Sequence, residues 1–241
     1  SQKYFGLHAS NVKAGAVLYV PKGVEINPEA IESNIGISKD YNNFELKKAI
    51  GVKDVQKVFK IAKYFSDNPK DNPFVGIDGA KQAIYSYGHR NPQGLTLHPK
   101  TGALWENEHG PRGGDEINII EAGKNYGWPK ITYGKNYYGT TITKNTALPG
   151  MEQPFYYWVP SIAASGMAFV TGNKYPDWEG DLLVGSLKKT YLERLTIRNN
   201  KVVAREKIAD GIGRVRDVII GPYGYIHIAV EFEGIYRINP N

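Results

Sequence analysis

The sequence predicts a mainly β protein built from repeated small antiparallel sheets, preceded by a short α/β segment. Three observations carry this. Apolar stretches recur in pairs, each pair joined by a turn bearing Gly or Pro. The composition is turn-rich and aromatic, with Gly 27, Pro 14 and Tyr 17 in 241 residues. Helical spacing of apolar residues is confined to the first 65 positions. Recurrence of one small sheet is the pattern of propeller blades. A sandwich of hairpins accounts for the same spacing equally well.

Along the chain, AGAVLYVPKGVEI (Ala14 to Ile26) reads as a strand interrupted by Pro21. Asn27-Pro28 is a helix cap followed by proline at the first helical position, opening EAIES. Asn43 caps FELKKAI, which Gly51 ends. Val55, Val58, Phe59, Ala62 and Phe65 form one apolar stripe, as a core-facing helix requires. The chain divides near residue 66, giving a segment 1–65 and a β region 66–241. Gly94 to Trp105 is strand, turn, strand, bending at Lys100-Thr101-Gly102. Gly166 to Leu187 repeats that plan, and Val215 to Ile238 repeats it again around Gly-Pro-Tyr-Gly. In the last copy Ile226, Ile228 and Val230 alternate with His227, Ala229 and Glu231, the period of a half-buried strand.

Composition narrows the chemistry. Hydrophobic residues make up 41%, enough for a core and too many for general disorder. With no cysteine, disulfides and thiolate metal sites are excluded, and a metal must take oxygen or imidazole ligands. The net charge of +6 is spread without a basic run, which argues against a nucleic-acid surface and suits an anionic cofactor. No stretch approaches the roughly 18 apolar residues of a membrane span.

The densest chemistry runs from Tyr85 to Pro129. EHGPRGGDE packs three glycines, a proline and three carboxylates into nine residues. Such a loop can turn carbonyls and carboxylates toward a hard cation such as Ca²⁺, or be a turn-rich surface loop with a solvated acidic pair. GHRNPQG offers Arg90 as a planar fork, with Asn91 and Gln93 as further donors. The same residues could equally satisfy the backbone of a strand-entry loop. GKNYGWP carries Tyr126 and Trp128, as core aromatics or as a ligand wall.

GHRNPQGL, EHGPRGGDEIN and NYGWP, in this order and spacing, resemble the soluble pyrroloquinoline quinone (PQQ)-dependent aldose and glucose dehydrogenases. The resemblance continues through YYWVPSIAASGMAF, WEGDLLVGSLK and GRVRDVIIGPYGY, covering residues 67–241. It implies a six-bladed β-propeller with PQQ and Ca²⁺ on its top face. By motif, Gly110 and Pro111 would present carbonyls to the cofactor-bound Ca²⁺, and Glu116 with the backbone of Tyr126 would serve a second, structural Ca²⁺. Arg90, Asn91, Lys188, Arg214 and Arg216 would contact PQQ, whose three carboxylates need such partners in a partly desolvated site. Tyr156 and Trp158 are candidates to wall the cofactor or sugar, or to pack a blade. The implied reaction oxidises an aldose at C1 to the lactone and passes electrons to an external acceptor, in a periplasmic or secreted protein.

The sequence departs from this family in four ways. Six blades need roughly 300 residues or more, so the matching span predicts a partial propeller of three to four blades. The family's general-base histidine has no matching motif: His8 lies in a segment that does not resemble it, and His89 belongs to another motif. Loss of a poised base costs on the order of 10²–10⁴ in rate. Ala164 replaces a usual proline, and Tyr223 a usual aspartate. KYFGLHASNVKAGAVLYVPKGVEI is instead similar to iron–sulfur cluster assembly scaffolds of the SufB/SufD type, although such clusters are mostly held by thiolates that this chain lacks. A truncated or chimeric propeller acting as a non-catalytic calcium-binding or structural module is the alternative. Its open edges predict a homodimer or poor solubility.

Overall fold

The computed structural model describes residues 72–81 and 83–240. The strand, helices and scaffold resemblance expected within residues 1–65 lie outside the described residues, as does His8.

The described region is mainly β, in three antiparallel meanders. The first sheet is β1 (Pro92–Leu97), β2 (Leu104–Glu108), β3 (Asp115–Ile120) and β4 (Tyr156–Trp158). The second is β5 (Ala164–Phe169), β6 (Leu182–Ser186), β7 (Leu192–Arg198) and β8 (Lys201–Ile208). The third is β9 (Val215–Ile220), β10 (Ile226–Val230) and β11 (Gly234–Ile238). A single 3-10 turn, Pro176–Trp178, lies between β5 and β6.

The three expected hairpins are the first pairs of these sheets: β1–β2, β5–β6 and β9–β10. Further strands extend each sheet beyond its hairpin. Asn199 and Asn200, with φ of 50° and 56°, make the tight turn that pairs β7 with β8. Asp115 and Glu116, expected in a turn-rich loop, open β3 instead.

The cores lie between sheets. Trp105, Ile117, Trp158, Phe169, Leu182 and Val184 fill the space between the first and second. Leu183, Leu192, Val215, Val218, Ile226 and Ile228 fill that between the second and third. Strand β6 explains why its sequence does not alternate: Leu182 and Val184 face one core, Leu183 the other, so both pleat faces are apolar. In β10 the expected alternation holds, with Ile226, Ile228 and Val230 buried.

The first strands of the sheets stand side by side, β1 against β5 and β5 against β9. Glycine permits that approach. A Cβ on Gly94 would lie 2.5 Å from the Ser165 carbonyl, and one on Gly166 would lie 2.7 Å from Asp217 Cα. Side chains tie the same seams: Asn107 Nδ2 donates to the Ser165 carbonyl at 2.7 Å, and Ser165 Oγ donates to the Val215 carbonyl at 2.6 Å.

Candidate cofactor and metal site

Each sheet closes its first hairpin with an equivalent hydrogen bond at one end. The His109 N–H donates to the Asn91 carbonyl at 3.0 Å, Leu187 to Ala163 at 2.9 Å, and Glu231 to Arg214 at 2.9 Å. The sequence-predicted ligands flank these bonds. Arg90 and Asn91 precede β1, Gly110 and Pro111 follow β2, Lys188 follows β6, and Arg214 and Arg216 open β9. Residues up to 126 positions apart, Arg90 and Arg216, thus share one end of the sheets.

The loop before β1 is held from below. Glu108, at the end of β2, accepts the backbone N–H groups of Arg90 (2.5 Å) and Asn91 (3.1 Å) with one carboxylate oxygen. Arg90 lies over the Trp128 ring at 5.2 Å and donates to the His109 carbonyl at 2.8 Å. Gln93 Nε2 donates to Asn91 Oδ1 at 3.0 Å. Across the site, Arg214 and Arg216 both bond the carboxylate of Glu231, Arg216 at 2.6 Å. Lys188 is exposed, and its backbone N–H donates to the Ile162 carbonyl at 3.1 Å.

A cavity of about 10 Å³, ion- or water-sized, brings together Gly110, Glu116 and Tyr126 with Glu108. Pro111 is not among its lining residues. Burial, with the charge of Glu108 adding to it, pushes the Glu116 carboxyl up to about 8. A cation in that cavity would return Glu116 to its ionised form. Two carboxylates on one small cavity, Glu108 and Glu116, are oxygen donors of the kind a hard cation takes.

Sequence reasoning missed three residues that build this end. Asp115 is fully buried and accepts three backbone N–H groups: Gly110 at 3.0 Å, Ala163 at 2.6 Å and Ala164 at 3.2 Å. It pins the glycine loop to the turn before β5. Glu108 and Glu231 are the others. An acidic residue just past a Gly/Pro loop was the available signal for Asp115, but its partners around position 163 are visible only in three dimensions.

Of the two readings of Trp158, ligand wall or blade packing, its surroundings favour packing. It is 1% exposed, and its indole N–H donates to buried Glu193 at 2.7 Å, so its ring packs between sheets. Tyr156 is half-buried under the Arg205 guanidinium, 5.8 Å from the ring. Among the described histidines, His109 follows β2 at this end of the sheets, with Nε2 2.5 Å from the Ala164 carbonyl and Nδ1 3.4 Å from Asn91 Nδ2. Both ring nitrogens are engaged, which leaves it no lone pair for a sugar hydroxyl.

Residues 48–236 match the Glucose / Sorbosone dehydrogenase family. The chain is 48% identical over 166 residues to the aldose sugar dehydrogenase YliI of Escherichia coli, covering 68% of this chain and 45% of that protein. It is 31% identical over 188 residues to quinoprotein glucose dehydrogenase B of Acinetobacter calcoaceticus, covering 77% and 34%. Among solved structures, a crystal structure of glucose dehydrogenase superposes with a TM-score of 0.67 at 48% identity, covering 72% of this chain and 51% of that one. The soluble aldose sugar dehydrogenase of Escherichia coli in its apo form gives 0.66 at 41% identity, with the same coverage. The chain spans less than half the length of these two curated relatives.

Proposed function

The chain belongs to the glucose and sorbosone dehydrogenase family, and on that premise we propose that it is the cofactor-holding part of a PQQ- and calcium-dependent aldose dehydrogenase. In this reading its three sheets are three blades of a six-bladed propeller, with a separate segment over residues 1–65. The observation that carries it is the gathering of Arg90, Asn91, Gly110, Lys188, Arg214 and Arg216 at one end of the sheets. Arg90, Lys188, Arg214 and Arg216 are suited to carboxylates and quinone oxygens, Asn91 adds an amide, and Arg–carboxylate bonding can be bidentate. Glu231 pairs both Arg214 and Arg216, so a cofactor carboxylate would have to share or replace that bonding. The Gly110 and Pro111 carbonyls would serve the calcium ion of the cofactor, and Glu116 with Tyr126 a structural one. When bound, PQQ supplies the hydride acceptor for sugar C1, and its electrons then leave to an external acceptor. The residues here would orient it, neutralise it and keep its reactive face against the sugar. We place this chemistry in the periplasm or outside the cell; no helix among the described residues is long and apolar enough to cross a membrane.

A second reading, a calcium-binding or structural module without turnover, is favoured by one observation. Of the described histidines nearest this end of the sheets, His109 has both ring nitrogens engaged, and His89 turns its unpartnered Nδ1 into the protein toward Glu106 and Glu108. Calorimetric titration of PQQ into the calcium-loaded chain, with an EDTA-treated control, separates the outcomes. Saturable, calcium-dependent binding is expected. Absence of binding would reject the cofactor reading, and binding without aldose turnover would support the module.

A further inference from the structure

Beneath the cofactor loop, one group of side chains remains without a function in the preceding account. Glu106 and Glu108 project from the same face of β2, and Asn118 faces Glu106 across the β2–β3 ladder. Both carboxylates are buried, 3% and 4% exposed. Between them stands one neutral donor: Asn118 Nδ2, 3.2 Å from Glu106 Oε2 and 3.2 Å from Glu108 Oε1. Among the described residues no lysine or arginine pairs with either. Glu108 also holds the Arg90 and Asn91 amides, but Glu106 has no other donor, and two buried carboxylates this close are costly unless a cation joins them.

His89 completes the group. Its Nδ1 is 3.5 Å from Glu108 Oε1 and 3.9 Å from Glu106 Oε2. Those separations are too long for hydrogen bonds, and both His89 Nδ1 and Glu106 Oε1 are buried without a hydrogen-bond partner. The 3.5 Å separation is that of atoms sharing a metal, and the 3.9 Å one would have to shorten on binding. Bonds of roughly 2.0–2.2 Å place tetrahedral ligand atoms roughly 3.3–3.6 Å apart. The ligand atoms of all three residues lie within 4.8 Å of one another.

The surroundings orient these ligands. Ser86 Oγ, 2.8 Å from His89 Nε2, can accept its N–H and leave the Nδ1 lone pair facing the carboxylates. The imidazole stacks on Tyr126 with ring centres 4.5 Å apart, which fixes its plane. Glu108 spends its other oxygen on the Arg90 and Asn91 amides.

We propose that His89, Glu106 and Glu108 form a binding site for a borderline first-row divalent cation, of which zinc is the best fit. Nitrogen ligation distinguishes it from the all-oxygen preference of calcium. A bound ion would staple the loop carrying Arg90 and Asn91 to β2, because His89 and Glu108 both hold that loop. The site is independent of PQQ and of turnover.

The test uses the full chain, stripped with EDTA and dialysed against zinc, with cobalt as a spectroscopic probe. One zinc per chain by elemental analysis is expected, with visible cobalt bands of a low-coordinate N,O site and zinc retained in excess calcium. Glu106→Gln and His89→Gln should weaken zinc binding by about 100-fold, on the scale that ligand-shell changes produce. Circular dichroism checks that each variant is folded. The wild-type chain alone can overturn the proposal: no stoichiometric zinc, or zinc displaced by calcium, would do so. Cobalt bands unchanged in both folded variants would do so equally. Failure here leaves the PQQ titration unaffected, so the two readings fall separately.

Discussion

Glu116 is partly buried beside a charged neighbour, Glu108, and desolvation raises its carboxyl to about 8 from an ordinary 4.5. Glu106 is raised well above the usual carboxylate range for the same first reason, burial, with Glu108 again adding. Folded-state values above unfolded ones mean that the folded chain keeps protons which the unfolded chain releases. The stability they contribute is complete below pH 4.5 and, for Glu116, is lost as pH rises toward about 8. Differential scanning calorimetry in EDTA should therefore show Tm falling across that window. Glu116→Gln should reduce the fall, and added calcium should reverse part of it. A flat profile in EDTA would show that the carboxylates are compensated in some other way. Trp158 offers a second test at this scale. Trp158→Phe leaves Glu193 without its indole donor, though Arg205 Nε still bonds it at 2.9 Å. A loss of about 1–3 kcal/mol is expected from urea unfolding.

Strand ends, more than strand centres, position the site. Asp115 opens β3 and ties three backbone amides from two separate loops. Asp115→Ala would leave those amides without their acceptor, at about 1–3 kcal/mol for each one that water cannot reach. A drop in urea midpoint of at least about 3 kcal/mol equivalent, together with weaker calcium binding, is the expected result. An unchanged calcium affinity would mean that the glycine loop holds its shape without Asp115. The seams between first strands give another test. Gly166→Ala places a methyl against the β9 backbone, where the contact would be 2.7 Å. Overpacking of this kind costs about 1–3 kcal/mol, so chemical denaturation should show a clear loss. Gly102→Ala, at a turn with open space but φ of 67°, should cost less, from backbone strain alone.

Across the three sheets, the outer strand β11 is largely exposed and has no further strand beside it among the described residues. Phe232, Ile219 and Ile235 present apolar surface on the same sheet, 99%, 52% and 49% exposed. Open edges and apolar faces favour association. Sedimentation velocity over a range of concentrations should show mass rising above that of a 26.8 kDa monomer. A single monomeric species at high concentration would show that these surfaces are covered or tolerated.

The sequence by itself determined the β class, the three leading hairpins and the family, because turn residues, period-two alternation and the EHGPRGGDEIN and GHRNPQG motifs are local features. It also supplied the basic residues gathered at one end of the sheets and the carboxylate Glu116. Tertiary structure alone decided which of them meet. Trp158 looked as available to a ligand as Tyr156 until burial against Glu193 placed it in a core. Asp115, given no role of its own by the sequence, is a backbone anchor at a strand start. His89, Glu106 and Glu108 carried no recognisable spacing, since they converge through a loop folded over β2. Pairing across strands and approach between sheets are long-range events, and no window of sequence records the distance at which two side chains will stand.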